Sequence, residues 1–133
     1  MIFIASSWKQ RDRVRKLAYK LRGLDYGVYD FTDPGSRKCV PMPPERFPEK
    51  FDPEKHNYWD YINNPEAVEA VNENRRMVVC CKILVLILPC GVDATADWAY
   101  AVALGKTTFI IGAPNKGEYS LVHNWANGWF SNE

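Results

Sequence analysis

Four stretches of the chain are rich in apolar, β-branched and aromatic residues and are short enough to be single strands. They are MIFIA at 1–5, GVYDF at 27–31, ILVLIL at 83–88 and TTFIIG at 107–112. The third has no polar residue at all, as is typical of a parallel strand covered on both faces. Between the stretches, apolar residues recur every three or four positions, which indicates amphipathic helices.

The alternation of the two patterns predicts an α/β fold with a mostly parallel sheet of four to five strands. Helices are expected on both faces, giving a three-layer domain of the flavodoxin or Rossmann type. The predicted helices cover residues 9–22, 65–81 and 94–104, and the tail from 119 to 130 is expected to form a last short helix. Asn64 and Pro65 suit the N-cap and first turn of the second of these helices. Its inner stripe holds Val71, Asn74, Val78 and Cys81.

Residues 33–57 form a long proline-rich loop within what we expect to be one domain, residues 1–133. Six of the nine prolines lie between Pro34 and Pro53, which excludes a helix or a central strand there. Loops of this length in small domains are more often functional than not. Two roles remain open, a cover for the sheet edge or a cover for a ligand, and the aromatic residues Tyr58 and Trp59 that follow it are candidates for substrate binding.

Composition narrows the choice of partner. The net charge of +1 over 133 residues gives no support for binding a nucleic-acid polymer or a membrane through bulk charge. The start MIFIASSW lacks the basic leader of a signal peptide, so we expect a cytoplasmic protein. The basic residues of the first helix are expected to form a solvated face; they are Arg11, Arg13, Arg15, Lys16, Lys20 and Arg22.

Cysteine spacing argues against a metal site. The four cysteines form no CxxC pair, and the chain has only two histidines, so we expect no zinc. Adjacent Cys80 and Cys81 are expected to be small buried hydrophobes. Cys90 follows the third strand and is a candidate for lining a pocket.

In parallel sheets ligands bind beyond the carboxyl ends of the strands, where the strand order reverses. Ser6, Ser7 and Trp8 follow the first strand, and the stretch from Cys90 and Gly91 to Asp97 follows the third. Asp93 is explained by N-capping of the next helix. Asp97 lies one turn further, between Ala96 and Trp98, and two interpretations stay open: a surface acid favoured by the positive end of the helix, or a functional carboxylate.

The segments IFIASSW, VYDF and LPCGVDATADWAYAVALGK resemble the nucleoside 2-deoxyribosyltransferase-like family, in particular a small bacterial and phage subgroup. The resemblance covers the whole chain except the proline-rich loop. It implies cleavage or exchange of the base at the N-glycosidic bond of a nucleoside or nucleotide, without metal or organic cofactor. It also implies a homo-oligomer in which one subunit completes another's pocket.

Carried over position by position, the resemblance assigns the family's catalytic glutamate to Asp97 and its assisting aspartate to Asn74. Asp97 keeps the charge but is one methylene shorter, which withdraws its oxygens by about 1.5 Å. An amide at position 74 hydrogen-bonds but cannot act as a base. Val92 replaces the family's arginine. Asp93 replaces the serine that can face a phosphate, so we expect an uncharged nucleoside to be preferred to a 5′-monophosphate.

Three functions therefore remain open. The first is an active N-glycosidase or deoxyribosyltransferase with Asp97 as its nucleophile. The second is a binding module that has kept the cleft and lost efficient chemistry, because Asn74, Val92 and Asp93 all depart from the family pattern. The third is a structural or partner-binding protein, for which the aromatic tail with Trp125, Trp129 and Phe130 would supply an interface.

Overall fold

The computed structural model describes residues 1–36 and 50–132. Its five strands form one parallel sheet in the order β2-β1-β3-β4-β5. The strands are β1 Ile2–Ala5, β2 Val28–Asp30, β3 Ile83–Ile87, β4 Thr107–Ile111 and β5 Gly128–Phe130; the helices are α1 Arg11–Arg22, α2 Tyr58–Ile62, α3 Pro65–Cys80 and α4 Val92–Ala103. The α/β fold predicted from the sequence is confirmed. Most of the proline-rich loop lies outside the described residues.

The layers follow from the handedness of the strand connections. The connection through α1 runs from β1 to β2 in one direction across the sheet, whereas those through α3 and α4 run in the opposite direction. Because such connections are right-handed, α1 covers one face of the sheet, and α3 and α4 cover the other. The strand order reverses between β1 and β3, so a crevice is expected above the carboxyl ends of these two strands.

The core lies on both faces of β1, β3 and β4. Phe3 packs edge-to-face against Tyr29, with ring centroids 4.8 Å apart, and both rings are fully buried. In β3 the residues from Leu84 to Ile87 are all buried, which explains why this strand shows no alternation in the sequence. The packed core therefore fixes the position of the residues that follow the carboxyl ends of the strands.

The tail is the main difference between the predicted and the observed elements. Residues 121–125 form a short 3-10 helix, so a last helix is present there, but β5 follows it and pairs with β4, so the expectation is wrong for 128–130. The Phe130 carbonyl accepts a hydrogen bond from the Gly112 amide at 2.8 Å. An additional strand at the sheet edge thus takes the place of the end of the predicted helix.

Two expectations about individual side chains also need correction. Cys81 is buried as expected, but Cys80 is exposed. On α1 the basic face is exposed to solvent except at Arg13, which is half-buried. The Arg13 Nη1 atom donates to the Leu88 carbonyl at 2.7 Å, just beyond the end of β3. This arginine therefore links α1 to the carboxyl edge of the sheet.

A fully buried tryptophan of α4 contacts a half-buried histidine from the tail. Trp98 has no exposed surface, and its ring packs edge-to-face against His123 with centroids 5.7 Å apart. Within residues 1–36 and 50–132, Trp98 Nε1 and His123 Nε2 are both buried without a hydrogen-bond partner. Burial lowers the pKa of His123, because the charged imidazolium is poorly solvated there.

We expect this histidine to make stability depend on pH. Its pKa is below the ordinary value of 6.5 in the folded state, so its contribution is fully present above about pH 6.5 and is lost as the pH falls further. Urea denaturation at about pH 7.5 and about pH 5.5 should therefore show a smaller loss of unfolding free energy for His123→Gln than for the wild type. Equal losses in the two proteins would contradict a neutral, buried His123.

Within the described part of the chain, none of the helices combines the length and the apolar character needed to cross a membrane.

Candidate functional site

A cavity of about 430 Å³ opens above the carboxyl end of β1, between the first turns of α4 and the middle of α3. This is the crevice expected from the reversal of strand order, and its size suits a small organic ligand. The described residues that line it come from four parts of the fold; they are Phe3, Ala5, Ser6, Ser7, Trp8, Lys9, Phe31, Ala67, Ala70, Val71, Asn74, Gly91, Val92, Asp93, Ala94 and Asp97. Seven positions predicted from the sequence, Ser6, Ser7, Trp8, Asn74, Gly91, Asp93 and Asp97, are therefore brought together.

The two serines after β1 have structural bonds that limit what each can offer a ligand. Ser6 is buried, and its hydroxyl donates to the Ile87 carbonyl at 2.8 Å, which links the ends of β1 and β3. Ser7 accepts a hydrogen bond from the Lys9 amide at 3.2 Å and caps the 3-10 helix Trp8–Gln10. A hydroxyl has one proton and two lone pairs, so Ser6 can only accept from a ligand, whereas Ser7 retains its proton to donate.

Two aromatic rings form one wall of the cavity. Trp8 packs edge-to-face against Phe31, with centroids 5.2 Å apart and an interplanar angle of 88°. Phe31 follows β2 and is buried, which holds the half-buried Trp8 in place. A flat aromatic ligand can stack on such a wall, since offset and edge-on contacts are the favoured aromatic geometries.

The start of α4 differs from the expectation. The helix begins at Val92 with Gly91 as its N-cap, and no side chain caps it, so the assignment of Asp93 as the N-cap is wrong. Asp93 instead lies in the first turn and is exposed. Its side chain therefore does not occupy the free N–H groups at the helix start, although its charge is favoured there by the helix dipole.

Asp97 follows Asp93 by four residues on the same face of α4, and both line the cavity. Asp97 is half-buried, whereas Asp93 is exposed. Carboxylates with less access to water interact more strongly with a ligand's charge, so Asp97 is the better placed of the two for chemistry.

Asn74 lines the same cavity as Asp97, from α3. Its Oδ1 atom accepts a hydrogen bond from the Tyr29 hydroxyl at 2.8 Å, and it is half-buried. The Tyr29 ring is fully buried beside Phe3, so this bond fixes the orientation of the amide. Asn74 is thus a positioned hydrogen-bonding group, and its amide does not ionise, so it cannot act as an acid or a base.

Three positions predicted to bind substrate are not among the described residues that line the cavity. The Cys90 thiol lies 3.4 Å from the Thr95 hydroxyl, and burial raises its pKa, which keeps the thiol protonated at neutral pH. Tyr58 and Trp59 begin the short helix α2 and are 63% and 70% exposed. Their part in substrate binding stays a prediction.

The structure adds residues that the sequence did not single out. Lys9 and Phe31 line the cavity; Lys9 directly follows Trp8, and Phe31 is the last residue of the predicted VYDF strand. Glu73, next to Asn74 on α3, is buried with 2% of its surface exposed. Glu73 lies three residues after buried Ala70, which places it on the inner face of the helix. The sequence does not suggest this burial, because charged residues are rarely buried.

A second cavity, of about 550 Å³, lies between α1 and the segment after β2. Its walls include Arg15, Arg22 and Asp33, which are engaged with other groups: Arg15 Nε donates to the Thr32 hydroxyl at 3.1 Å, and Arg22 pairs with Asp33 at 3.3 Å. A hydrogen bond from the Gly35 amide, helped by Ser36 and Arg22, lowers the pKa of Asp33. The polar groups of this cavity thus bind each other.

Among residues 1–36 and 50–132, no group of three or more acidic, histidine or cysteine side chains is arranged to hold a metal ion. No protein-family model, curated protein or solved structure matches the chain. The resemblance noted in the sequence therefore stays a prediction.

Proposed function

We propose that the cavity binds a nucleoside and that the Asp97 carboxylate acts at its N-glycosidic bond, in hydrolysis or in base exchange. The protein would then be a cytoplasmic enzyme of nucleotide metabolism. One observation carries the proposal: Asp97 and Asn74, on two different helices, line one cavity beside Ser7 and Trp8. These are the positions at which the sequence resemblance locates the sugar chemistry.

The chemistry needs only the carboxylate and water. An Asp97 oxygen attacks the anomeric carbon as the bond to the base breaks, and the bonding electrons leave with the base nitrogen, which takes up a proton. Water then attacks the same carbon, the bond to the Asp97 oxygen breaks and restores the carboxylate, and the proton that the water loses balances the one taken up by the base. In an exchange, the nitrogen of a second base attacks instead and loses its proton. The negative charge of Asp97 also stabilises the positive charge that develops on the ring in the transition state.

The surroundings of Asp97 suit the two halves of a nucleoside. The wall formed by Trp8 and Phe31 offers a surface for the flat base. The Ser7 hydroxyl and the Asn74 amide offer hydrogen bonds to sugar hydroxyls. The Asn74 amide is held in place by its hydrogen bond from Tyr29. Small side chains, Ala67 and Ala70, leave room for the ring on the α3 side.

The charges around the cavity favour an uncharged ligand. Asp93 and Asp97 contribute two negative charges and Lys9 one positive charge among the described lining residues. A 5′-phosphate near the start of α4 would meet both carboxylates, although the backbone N–H groups there are open. We therefore propose nucleosides rather than 5′-monophosphates as ligands.

A second candidate is a binding module without turnover, and Asn74 favours it. An amide that accepts from Tyr29 can hold a sugar hydroxyl in place, but it cannot remove or supply a proton. In this case the cavity and its aromatic wall would serve recognition alone.

The test is incubation of the protein with a panel of nucleosides and their 5′-monophosphates, with free base detected by chromatography and binding measured by calorimetry. We expect base release and tighter binding of the nucleosides. Binding without any free base would select the second candidate. Neither binding nor release across the panel would contradict both.

A further inference from the structure

We propose that the outer edge of β5 is a dimerisation surface, where a second copy of this chain pairs antiparallel with β5 and extends the sheet. The proposal does not depend on the cavity, since none of the residues concerned is among those described as lining it. In the described sheet β5 is the terminal strand, paired with β4 on one side only.

The strand β5 and the segment that leads into it, residues 119–130, expose much apolar surface. We name this set the β5 surface: Tyr119 80% exposed, Leu121 80%, Trp125 56%, Trp129 62% and Phe130 52%. Their neighbours Val122 and Ala126 pack against the core. The Trp129 indole donates to the Gly112 carbonyl at 2.7 Å, and the Phe130 ring lies 5.9 Å from that of Phe109. The segment is therefore anchored, while more than half of each large side chain stays exposed. Exposed aromatic clusters of this kind mark protein–protein contacts.

The sequence around β5 lacks the features that protect an exposed strand edge. Residues 119–132 contain no Lys, Arg, Asp, Glu or Pro. Sheet edges that remain exposed normally carry a charge, particularly lysine, or a proline that blocks pairing. Charged residues are also depleted at the centre of interfaces. A strand edge with neither a charged residue nor a proline is therefore suited to pairing with a partner.

The partner is a second copy because the surface is complementary to itself. A twofold axis brings the same patch of both copies together, and an uncharged patch meets its copy without repulsion. An aromatic side chain presents roughly 150–250 Å², so the exposed fractions above amount to roughly 600 Å² on each copy. If the partner covers all of this surface, the sum of about 1,200 Å² reaches the lower limit for a specific interface.

The backbone fixes how the two strands meet. The Phe130 carbonyl accepts from Gly112, so residue 130 faces β4. Successive residues of a strand point their backbone groups to opposite edges, so the N–H and C=O of Trp129 face outward. An antiparallel pairing centred on Trp129 lets the two copies of this residue exchange both hydrogen bonds and brings their indole rings within contact distance.

Light scattering coupled to size exclusion tests the proposal on the full chain. The interface is at the small end of the specific class, so the dimer is expected to need a high protein concentration. At about 100 µM chain we expect the wild type to have twice the monomer mass. We expect Trp129→Lys to be a monomer, since it opposes two charges across the axis. Trp59→Lys, which replaces an equally exposed tryptophan far along the chain, should remain a dimer. Hydrogen exchange of the wild-type peptide 127–131 should slow as concentration rises.

A wild type that is monomeric at this concentration overturns the proposal. So does a dimer that survives Trp129→Lys, because the interface would then lie elsewhere. If Trp129→Lys does not fold, exchange on the wild type decides alone: concentration-dependent protection of 127–131 supports the β5 pairing, and unchanged exchange there contradicts it. Dissociation of the wild-type dimer on dilution should also be insensitive to salt, since no charged group belongs to the surface.

Discussion

We expect Asp97→Asn to lower the rate of base release from the best nucleoside substrate by on the order of a thousandfold or more, because under the proposed mechanism the variant removes the nucleophile and the charge that stabilises the transition state. The amide has the shape of the carboxylate, and the side chain is only half-buried on α4, so the fold should be retained. The rate is measured by chromatography of free base under single-turnover conditions, with circular dichroism as a check on folding. Binding of the nucleoside should change far less than the rate.

The matched control is Asp93→Asn, which removes the same charge one turn earlier on the same helix face. Because Asp93 is exposed and water screens its charge, we expect a rate within about tenfold of the wild type. Equal losses in the two variants would mean that only the summed charge of the cavity matters. A rate for Asp97→Asn close to that of the wild type would remove Asp97 from the chemistry.

We expect Trp98→Ala to lower the free energy of unfolding by about 3–5 kcal/mol, since a fully buried large ring leaves a cavity that the rigid sheet cannot fill. Trp98 lies beside Asp97 in the sequence, and its ring packs against His123. Urea denaturation followed by circular dichroism measures the loss. The variant should also bind nucleoside more weakly, because α4 carries the carboxylates of the cavity.

Trp59→Ala is the control for this substitution. Its side chain is 70% exposed, and exposed substitutions usually change stability by less than about 0.5 kcal/mol. A loss for Trp98→Ala no larger than that for Trp59→Ala would contradict the packing described for α4.

The sequence was sufficient for elements whose local pattern and tertiary role agree. The run ILVLI reads as a buried strand because β3 is the central strand of the sheet and both of its faces are covered. Helix α3 was located by its N-cap, where the Asn64 side chain accepts from the Glu66 amide. In both cases the local sequence pattern alone was enough to predict the element.

The strand β5 was not predicted, because its local sequence pattern does not reveal its place in the sheet. A three-residue strand is too short to show alternation, and its pairing with β4 depends on contacts with residues far back in the sequence. The error at Asp93 has a related cause: Gly91 begins the helix without any side-chain cap, and the nearby aspartate offered the more familiar signal. Pairing with β4 therefore decided β5, whereas the start of α4 carries no side-chain signal for the sequence to show.

The candidate site was predicted in outline, because topology alone brings the ends of β1 and β3 to one edge. Which side chains reach the cavity is a matter of packing. Phe31 enters it because the ring turns under Trp8, whereas Cys90 turns towards Thr95. Neither direction is encoded in a motif.

The central claim is that Asp97 acts at the N-glycosidic bond of a nucleoside bound in the first cavity. A crystal structure of the Asp97→Asn protein with a bound nucleoside would test it most directly. We expect the base to contact Trp8 and the anomeric carbon to lie within about 3.5 Å of the residue 97 side chain, the separation of a near-attack geometry. A nucleoside bound instead in the second cavity beside α1, or bound with its anomeric carbon out of reach of residue 97, would contradict the assignment of this site to N-glycosidic chemistry.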